Sequence, residues 1–431
     1  MFSIISGCAT RQVYNKQFVT GKIKDSSGYD LPDQYSDTVI VPPEVTIDNG
    51  LTEQESVSIA LWNSPQLQAD LADLGFAHAD LVEAGMLPNP VFSLLFPVGP
   101  KQLEFTLSYY ADILWQRPSR IAVAKLNSEK IAENLILHGL NMIHNVSVSY
   151  ADLYRAEGER NLLEEKMKLD NEIARIASVR KESGEISELE ETAFKVSASQ
   201  LQEAFIVANT MYETLKIKFL TQLGLISKWS EIQIEPSAVE EISIPDSEKL
   251  VSMALAFRPD MRASEIEIET AGKKLGWERA KIFNLTALLD ANAQGKEGFE
   301  MGPGMQLNIP LLNFNNGGRL RARTEMQRAA ASYIVVQQSI RSQVLQSWQN
   351  YQGAISTYNM LKKDVIPLSE KAVTQGEFAY LSGEISYLDF LEFNRQSLDA
   401  NLRLGKAESD VRKSLADLYL SIGGKVILNN E

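Results

Sequence analysis

The chain has 431 residues, and its 42 basic and 56 acidic side chains give a net charge of −14, which disfavours nucleic acid as a partner. No run of residues approaches the ~18 consecutive apolar positions that a membrane-spanning helix requires. Proline is absent between Pro118 and Pro236, and again between Pro310 and Pro367. These long stretches are rich in Ala, Glu, Leu, Lys and Gln and predict helices far longer than the usual length of about three turns.

The sequence contains an internal duplication. Residues 183–187 (SGEIS) recur as residues 382–386, an offset of 199 residues (383 minus 184), and the same offset relates Leu223-Gly224 to Ile422-Gly423. A repeat of this length predicts two copies of one structural unit. We assign residues 51–224 to the first repeat, 225–249 to a linker, 250–424 to the second repeat and 425–431 to a C-terminal tail.

The only cysteine, Cys8, follows Ile5-Ser6-Gly7. An aliphatic residue followed by Ser-Gly-Cys resembles the cleavage box of a bacterial lipoprotein, in which Cys8 would become the lipidated N-terminus. The alternative is a buried or stray thiol. Residues 1–8 would be a residual signal, without a basic n-region or a full apolar h-region. Residues 9–50 are polar and show no helical period, so we expect an extended arm.

Segments with strand-like alternation lie at corresponding places in the two repeats. From Leu103 to Leu114, apolar or aromatic residues alternate with polar ones over six steps, which predicts a strand with one dry and one wet face. Residues 91–96 provide its partner. In the second repeat, residues 284–294 and 305–311 alternate in the same way around a Gly-rich turn. The sequence therefore predicts one β-hairpin per repeat, at about 89–114 and at about 284–311.

The four strands have two interpretations. They could form soluble hairpins laid on a helical core, but nothing in the chain is wide enough to cover their apolar faces, and uncovered strand edges invite aggregation. Pairing with strands of other copies would remove the edges, as a membrane barrel demands. A tilted strand of about nine to eleven residues spans a bilayer, and the second and third strands are predicted to be that long. We favour the membrane barrel.

Helical patterns surround the hairpins. Thr52 and Glu55 have the spacing of a capping box and predict a helix that continues towards Pro88. After each hairpin, long helical stretches resume, and a stretch of ~60 residues would measure about 90 Å at 1.5 Å per residue. The predicted long helices run from Arg120 to about Lys181, Glu185 to Gly224, Arg319 to about Leu381 and Glu384 to Gly423.

Three motifs carry a family resemblance. Residues 258–262 (RPDMR) open a helix, residues 317–321 (GGRLR) follow the fourth strand, and residues 418–424 (LYLSIGG) end the last helix. TolC-type outer membrane efflux proteins show RPDLRA, GGR-R and LY-ALGG in the same order. From Leu51 to Gly424 the chain resembles the lipoprotein branch of this family. Ile282-Phe283-Asn284 departs from the family pattern, which usually has a proline at the entry to the third strand.

The resemblance implies a fold that is mostly α with a small β part, built from a duplicated helix–hairpin–helix unit. In a homotrimer, each protomer would give four strands to a 12-stranded β-barrel, which a long α-helical barrel continues. The implied location is the bacterial outer membrane, with a lipid anchor and a large periplasmic portion. The implied partners are outer-membrane lipid, a periplasmic adaptor protein and an inner-membrane pump of the RND type, with no cofactor.

The resemblance also assigns roles to residues of the SGEIS segments. In the family these glycine turns form the periplasmic tip that adaptor hairpins touch. The alternative is that the glycines only reverse the helices, through a positive φ. The implied adaptor-contact residues are Gly184, Glu185, Ser187, Gly383, Glu384 and Ser386.

Acidic residues six and nine positions after the second glycine line the narrowest part of the family's tunnel, and here they are Asp389 and Glu392. Three chains would form two stacked acidic rings, a form of cation filter, whereas the alternative is a solvated helix face. Tyr380, three residues before the glycine, is a candidate gate latch. Ile385 replaces the family's gate arginine, so the bonds that close the gate must differ.

No catalytic constellation is present in the sequence. His78, His138 and His144 have no Cys or carboxylate partners at metal-ligand spacing, so we expect neither an enzyme nor a metal site. The predicted function is a passive outer-membrane duct of a tripartite efflux system. The exit duct of a type I protein secretion system would share the fold, although that branch is usually not lipidated. A soluble coiled-coil scaffold is a distant alternative, which would not need the four alternating strands.

Overall fold

The computed structural model describes residues 13–32, 39–43, 45, 50–96, 103–225, 232–235, 239, 242–292 and 300–425. Cys8, the predicted turn residues 97–100 and 295–299, and the predicted tail from residue 426 onward lie outside the described residues. The lipidation of Cys8 therefore stays a prediction.

The two repeats contain the same series of elements: short helices, a hairpin, a long helix, a glycine turn and a second long helix. In chain order the first half comprises α1 (Lys16–Ser27), α2 (Glu53–Asn63), α3 (Pro65–Leu71), α4 (Asp73–Gly85), β1 (Val91–Leu95), β2 (Glu104–Tyr110), α5 (Ile113–Glu182) and α6 (Glu188–Gln222). The second half comprises α7 (Ser247–Phe257), α8 (Pro259–Ala280), β3 (Asn284–Asn292), β4 (Glu300–Asn308), α9 (Asn316–Met360), a π-helical segment (Leu361–Val365), α10 (Ile366–Leu381) and α11 (Tyr387–Ile422). The predicted duplicated, mostly α fold with a small β part is confirmed.

The extended arm predicted for residues 9–50 is wrong in part, because α1 lies within it. The Asn15 side chain accepts a hydrogen bond from the Phe18 N–H at 2.9 Å, which satisfies one of the free amides at the helix start. Val19 and Ile23 are four residues apart, so they lie on one helix face, and both are fully buried. Their burial stabilises a helix that the polar sequence around them does not predict.

The single helix predicted from Thr52 towards Pro88 consists of α2, α3 and α4. Its start is as predicted, since Thr52 and Glu55 form a capping box. Helix α2 ends before Ser64, which has φ −75° and ψ 113°, because the residue before a proline is pushed out of the α region. The Ser64 hydroxyl then caps α3 by accepting a hydrogen bond from the Leu67 N–H at 3.2 Å.

The first hairpin is shorter than the predicted residues 89–114. Strand β2 ends at Tyr110, so it has 7 residues rather than the nine or more predicted, whereas β3 and β4 have 9 each. Helix α5 begins at Ile113, well before the predicted Arg120. Hydrogen bonds to α8 hold this start in place: Trp115 donates to the Ala280 carbonyl at 3.3 Å, and Trp277 donates to the Gln116 side chain at 3.1 Å.

The helix predicted from Arg319 to Leu381 is interrupted by the π-helical segment. Pro367 lies just after this segment and provides its physical cause. Proline lacks an N–H, and its ring clashes with the carbonyl four residues earlier, so the hydrogen-bond ladder is disturbed there. The first repeat has Lys168 at the equivalent position, and α5 continues without interruption to Glu182.

The four strands form one antiparallel sheet in the order β1-β2-β3-β4, which leaves β1 and β4 as the edges among the described strands. The register aligns the alternating residues of neighbouring strands, so most of their apolar side chains share one face of the sheet, whereas Val91, Leu95 and Leu288 lie on the other. Members of the mainly apolar face include Phe92, Leu94, Phe105, Leu107, Tyr109, Leu285, Ala287, Leu289, Met305 and Leu307. On the other face, the Thr106 hydroxyl donates a hydrogen bond to Asp290 at 2.9 Å. The predicted dry and wet faces are therefore present.

The chain divides into two compact units, each built from segments of both repeats. The first (residues 1–22, 69–137 and 256–339) contains the sheet, and the second (residues 23–68, 138–255 and 340–431) contains both glycine turns. None of the described helices is both long and apolar enough to cross a membrane.

The RPDMR motif joins two helices of the first unit. Arg262 of α8 donates hydrogen bonds to Glu129 of α5 at 2.7 and 3.2 Å, and to Glu265 at 3.1 Å. These carboxylates raise the pKa of Arg262 above its ordinary value, with the Glu129 bond as the largest cause. Arg258 is buried, and its guanidinium pairs with Asp260 at 2.7 and 2.9 Å. The motif therefore fixes the start of α8 against α5.

Candidate functional site

The two glycine turns of the second unit have the same backbone conformation. Gly184 has φ +77° and Gly383 has φ +79°, values in the left-handed region that residues with a Cβ rarely adopt. The amides that follow close each helix in the same way, since Glu185 N–H donates to the Arg180 carbonyl and Glu384 N–H to the Ala379 carbonyl, both at 2.8 Å. Both glycines thus reverse the chain, and their contact with an adaptor stays a prediction.

The serine of each SGEIS segment begins the next helix with a capping box. Ser187 accepts from the Glu190 N–H at 3.2 Å, while the Glu190 carboxylate accepts from the Ser187 N–H at 2.8 Å. Ser386 and Asp389 repeat the arrangement at 3.2 and 3.1 Å. Two free backbone amides are satisfied at each helix start, which explains why a serine stands at this position in both repeats.

The predicted constriction residues Asp389 and Glu392 lie three positions apart near the start of α11, and both are exposed. The Asp389 carboxylate accepts hydrogen bonds from the Ser386 hydroxyl and N–H, and these bonds lower its pKa. The Glu392 carboxylate accepts a hydrogen bond from the Gln396 amide at 3.0 Å. In the first repeat the equivalent residues are Glu190 and Ala193, so only the capping carboxylate is common to both turns.

An aromatic cluster of Phe194, Tyr380, Tyr387 and Phe390 connects the two turns. The Tyr387 ring stacks on Phe194 of the first repeat with centroids 3.5 Å apart, and Tyr380 stacks on Phe390 at 5.8 Å with nearly parallel planes. Tyr387 is only 5% exposed, and burial raises the pKa of its hydroxyl above the ordinary value. The cluster is the apolar core of this end of the unit.

Arg180 lies beside the cluster and joins the turns by polar contacts. Its Nε donates to Glu185 at 3.1 Å, and its Nη1 donates to the Tyr380 hydroxyl at 3.4 Å. These bonds raise the pKa of Arg180 above its ordinary value, with Glu185 as the largest cause. The candidate latch Tyr380 thus has a partner within its own chain. The sequence analysis missed this arginine because it precedes the first glycine, whereas the family's gate arginine follows the second.

Exposed apolar side chains also lie next to the turns, and the sequence analysis did not select them. Leu189 is 73% exposed and Leu388 is 54% exposed, one at the start of each second helix, and Leu381 before the second turn is 75% exposed. The described residues contain no group of three or more His, Cys, Asp or Glu side chains that could hold a metal ion. The arrangement is therefore an exposed surface in which apolar side chains lie beside the two glycine turns.

The fold and the paired turns define a class of protein, a duplicated helix–hairpin–helix chain with one small sheet. Residues 250–424 match the family model described as outer membrane efflux protein. These are the residues of the second repeat, with the RPDMR, GGRLR and LYLSIGG motifs. The resemblance to the outer membrane efflux protein family is confirmed.

Individual relatives agree with this result. The cobalt-zinc-cadmium resistance protein CzcC of Cupriavidus metallidurans is 21% identical over 359 residues, which cover 82% of this chain and 85% of the relative. The outer membrane protein VceC of Vibrio cholerae has a similar fold, with a TM-score of 0.72 at 16% identity, covering 86% of this chain and 96% of VceC. CusC, whose structures concern transmembrane channel formation, has a TM-score of 0.74 at 15% identity, covering 92% and 99%.

Proposed function

We propose that the chain is the outer-membrane duct of a tripartite efflux system, a passive trimer that takes substrates from an inner-membrane pump and a periplasmic adaptor. The observation that carries this proposal is the sheet, whose single apolar face is exposed in the protomer. Leu107 is 40% exposed and Met305 is 78% exposed on that face. Lipid would cover this face, and the likeness to outer-membrane efflux proteins supports the same interpretation.

Three copies of the sheet would close into a barrel through the edges β1 and β4, which removes unpaired strand edges from the bilayer. To test this arrangement, Leu107→Arg places a charge on the apolar face, and Ser108→Arg places the same charge on the opposite face of the same strand. Near the bilayer midplane the first substitution should cost about 2–4 kcal/mol. Trimer yield in the outer-membrane fraction measures the effect. Normal yield of Leu107→Arg, or equal loss for both variants, would contradict the barrel.

The glycine turns are proposed as the surface for the adaptor. Exposed leucines next to backbone turns suit the helical hairpin of a partner, because an amphipathic helix binds by laying its apolar face on an apolar surface. Leu189→Asp and Leu388→Asp should each weaken adaptor binding in a pull-down without changing trimer yield. Leu320→Asp is a matched control, since Leu320 is 65% exposed but belongs to the other unit. If both turn variants bind the adaptor as well as the wild type does, the adaptor binds at another surface.

The acidic rings of Asp389 and Glu392 remain part of the proposal. If threefold symmetry brings three copies to one axis, the double substitution to Ala should lower cation selectivity in planar bilayers and abolish block by trivalent cations added from the periplasmic side. Glu190→Ala is the control, because it removes the equivalent capping carboxylate of the first repeat. If cation selectivity and block by trivalent cations both survive the double substitution, these carboxylates belong to a solvated helix face and form no acidic rings.

The substrate class is proposed from the relatives. CzcC is named for resistance to cobalt, zinc and cadmium, so divalent metal cations are the first substrates to test. Deletion of the gene should sensitise cells to these ions, and the Leu107→Arg variant should fail to restore growth. If resistance is unchanged and a secreted polypeptide accumulates in the cells, the type I secretion duct is the better function.

A lipid anchor at Cys8 completes the proposal. Mass spectrometry of the native mature protein should find a diacylglyceryl group on that cysteine. Loss of the anchor should affect sorting more than conduction, because the barrel itself would hold the protein in the bilayer. An unmodified thiol on protein produced with a full signal would exclude lipidation.

A further inference from the structure

Basic side chains are concentrated where the helices of the first unit join the sheet. Residues 80–90, 111–128, 270–283 and 309–328 flank the strand ends that lead into these helices and contain 11 Lys or Arg against 5 Asp or Glu. These segments therefore carry a net charge of +6 (11 minus 5) in a chain whose net charge is −14. The distribution is local, so general solubility does not explain it.

Most of these basic groups are not used by the fold. Arg117, Arg120 and Lys281 donate hydrogen bonds to neighbouring oxygens. The other eight (11 minus 3) lie within the described part of the chain and form no salt bridge or side-chain hydrogen bond there, although Arg321 interacts electrostatically with Glu278. A structural role would have given such groups carboxylate partners, as it does for Arg262 in the same unit. We name these eight the basic collar: Lys125, Lys273, Lys274, Arg279, Arg319, Arg321, Arg323 and Arg328.

The four arginines of α9 are all exposed and flank a buried seam of Ala322 and Ala329. At 3.6 residues per turn, Arg319 and Arg323 lie on one side of this seam, and Arg321 and Arg328 lie on the other. The packed side of the helix thus carries small residues, and the free sides carry cations. Long arginine side chains on both sides can reach along the helix towards the sheet.

A second set of exposed residues lies between the collar and the strands. Leu312 is fully exposed, and Phe314, Phe283 and Trp115 are 48%, 55% and 39% exposed. Aromatic and apolar side chains at the end of a membrane-embedded element, followed by Lys and Arg, are typical of the membrane–water interface. The order along the chain is apolar strand, aromatic fringe, then cationic collar.

We propose that the basic collar binds the phosphate headgroups of anionic phospholipids in the leaflet nearest the helices. This inference rests on the proposed function, since it requires the sheet to lie in a bilayer. Guanidinium groups pair with phosphate oxygens by two parallel hydrogen bonds, which suits a phosphodiester headgroup. The negative surface of the leaflet adds a long-range attraction for each Lys and Arg close to it.

The test uses the full-length trimer in nanodiscs of phosphatidylcholine with a minority of phosphatidylglycerol. Native mass spectrometry measures the ratio of the two lipids that remain bound, compared with their ratio in the disc. The test variant replaces Arg319, Arg321, Arg323 and Arg328 with Gln. The matched control replaces four basic residues of the second unit, Lys166, Lys218, Lys371 and Arg395, with Gln, so the change in net charge is the same.

The wild type and the control should enrich phosphatidylglycerol several-fold, and the test variant should lose most of that enrichment. A second variant with Lys at all four positions should keep it, and raising the salt should reduce it, because the attraction is electrostatic. If all proteins insert but the wild type shows no enrichment, or the test variant shows equal enrichment, the basic collar does not bind anionic headgroups. Either result would leave the proposed function as a duct unaffected. Failure of the wild type to insert at all would instead contradict the proposed function.

Discussion

The two glycine turns have the same backbone conformation and differ in their side chains. Each has a positive-φ glycine, a reversed helix end and a Ser capping box, at positions one repeat apart in sequence. After Ser187 the first repeat continues with Glu188, Glu190 and Glu191, whereas after Ser386 the second continues with Tyr387, Asp389 and Phe390. The turn is thus the same in both repeats, while two positions of the next helical turn are acidic in the first repeat and aromatic in the second.

This difference shows which residues serve folding and which are open to a functional role. Features common to both turns, including Asp389 as a capping carboxylate, are explained by the backbone they support. Features found in one turn only, such as Glu392, Tyr380 and the Arg180 side chain, need a separate reason. Asp389 caps its helix as Glu190 does in the first repeat, so an acidic ring is not needed to explain its presence. Glu392 has Ala193 as its counterpart, so the hypothesis of acidic rings depends more on Glu392.

The largest expected effect in this comparison comes from Tyr387→Ala. The substitution removes a buried ring that stacks on Phe194 at 3.5 Å and opens a cavity between the turns, so it should cost about 3–5 kcal/mol of local stability. Hydrogen exchange of the amides in residues 173–194 and 380–391 measures the loss. The neighbouring Leu388→Ala is the control and should change stability by less than about 0.5 kcal/mol. Equal effects of the two substitutions would show that the cluster does not join the turns.

Gly184→Ala and Gly383→Ala come next and should be equal to each other. A Cβ meets no atom within 4 Å at either position, so only the left-handed φ opposes it, at a cost of about 1–2 kcal/mol. Gly405→Ala in α11 is the control, since its Cβ also meets nothing and its backbone is helical; it should stabilise by about 0.5–1 kcal/mol. Chemical unfolding of the purified protein gives all three values. A much larger loss at one glycine would mean that the turns are not equivalent.

The fold was predictable wherever local chemistry decides it. Alternation in β2 and β3, the Thr52 capping box and the glycines of the turns follow from neighbouring residues, and all are present. Strand β4 was predicted in part, because it begins at Glu300, within the predicted turn of residues 295–304, and ends at Asn308 rather than Leu311. The capping role of Asp389 was missed, although the spacing Ser386-x-x-Asp389 repeats that of the first turn and is itself a local signal. Helix α1 and the Arg180 bond to Tyr380 could not be found in this way, because they depend on contacts with residues distant in sequence.

Ser187→Ala and Ser386→Ala test the capping boxes and should each cost about 1 kcal/mol, again equally in both turns. Hydrogen bonds from the serines lower the pKa values of Glu190 and Asp389. The stabilisation by these carboxylates is therefore present above their ordinary pKa and is lost as the pH falls through the lowered values. Amide exchange of the first helical turn of α6 and α11, measured on acidification, should show the loss in the wild type and little further change in the serine variants.

The smallest effect is expected for the hydrogen bond from Arg180 of the first repeat to Tyr380 of the second. At 3.4 Å and near the surface, this bond should contribute only about 0.3–0.5 kcal/mol. A double-mutant cycle of Arg180→Gln and Tyr380→Phe isolates it, since each substitution removes the bond and leaves the Tyr380 ring on Phe390. If the bond holds the tip closed, either single variant should raise channel opening in planar bilayers, and the double variant should add nothing. Additive effects of the two substitutions on both stability and opening would show that the bond between Arg180 and Tyr380 contributes to neither.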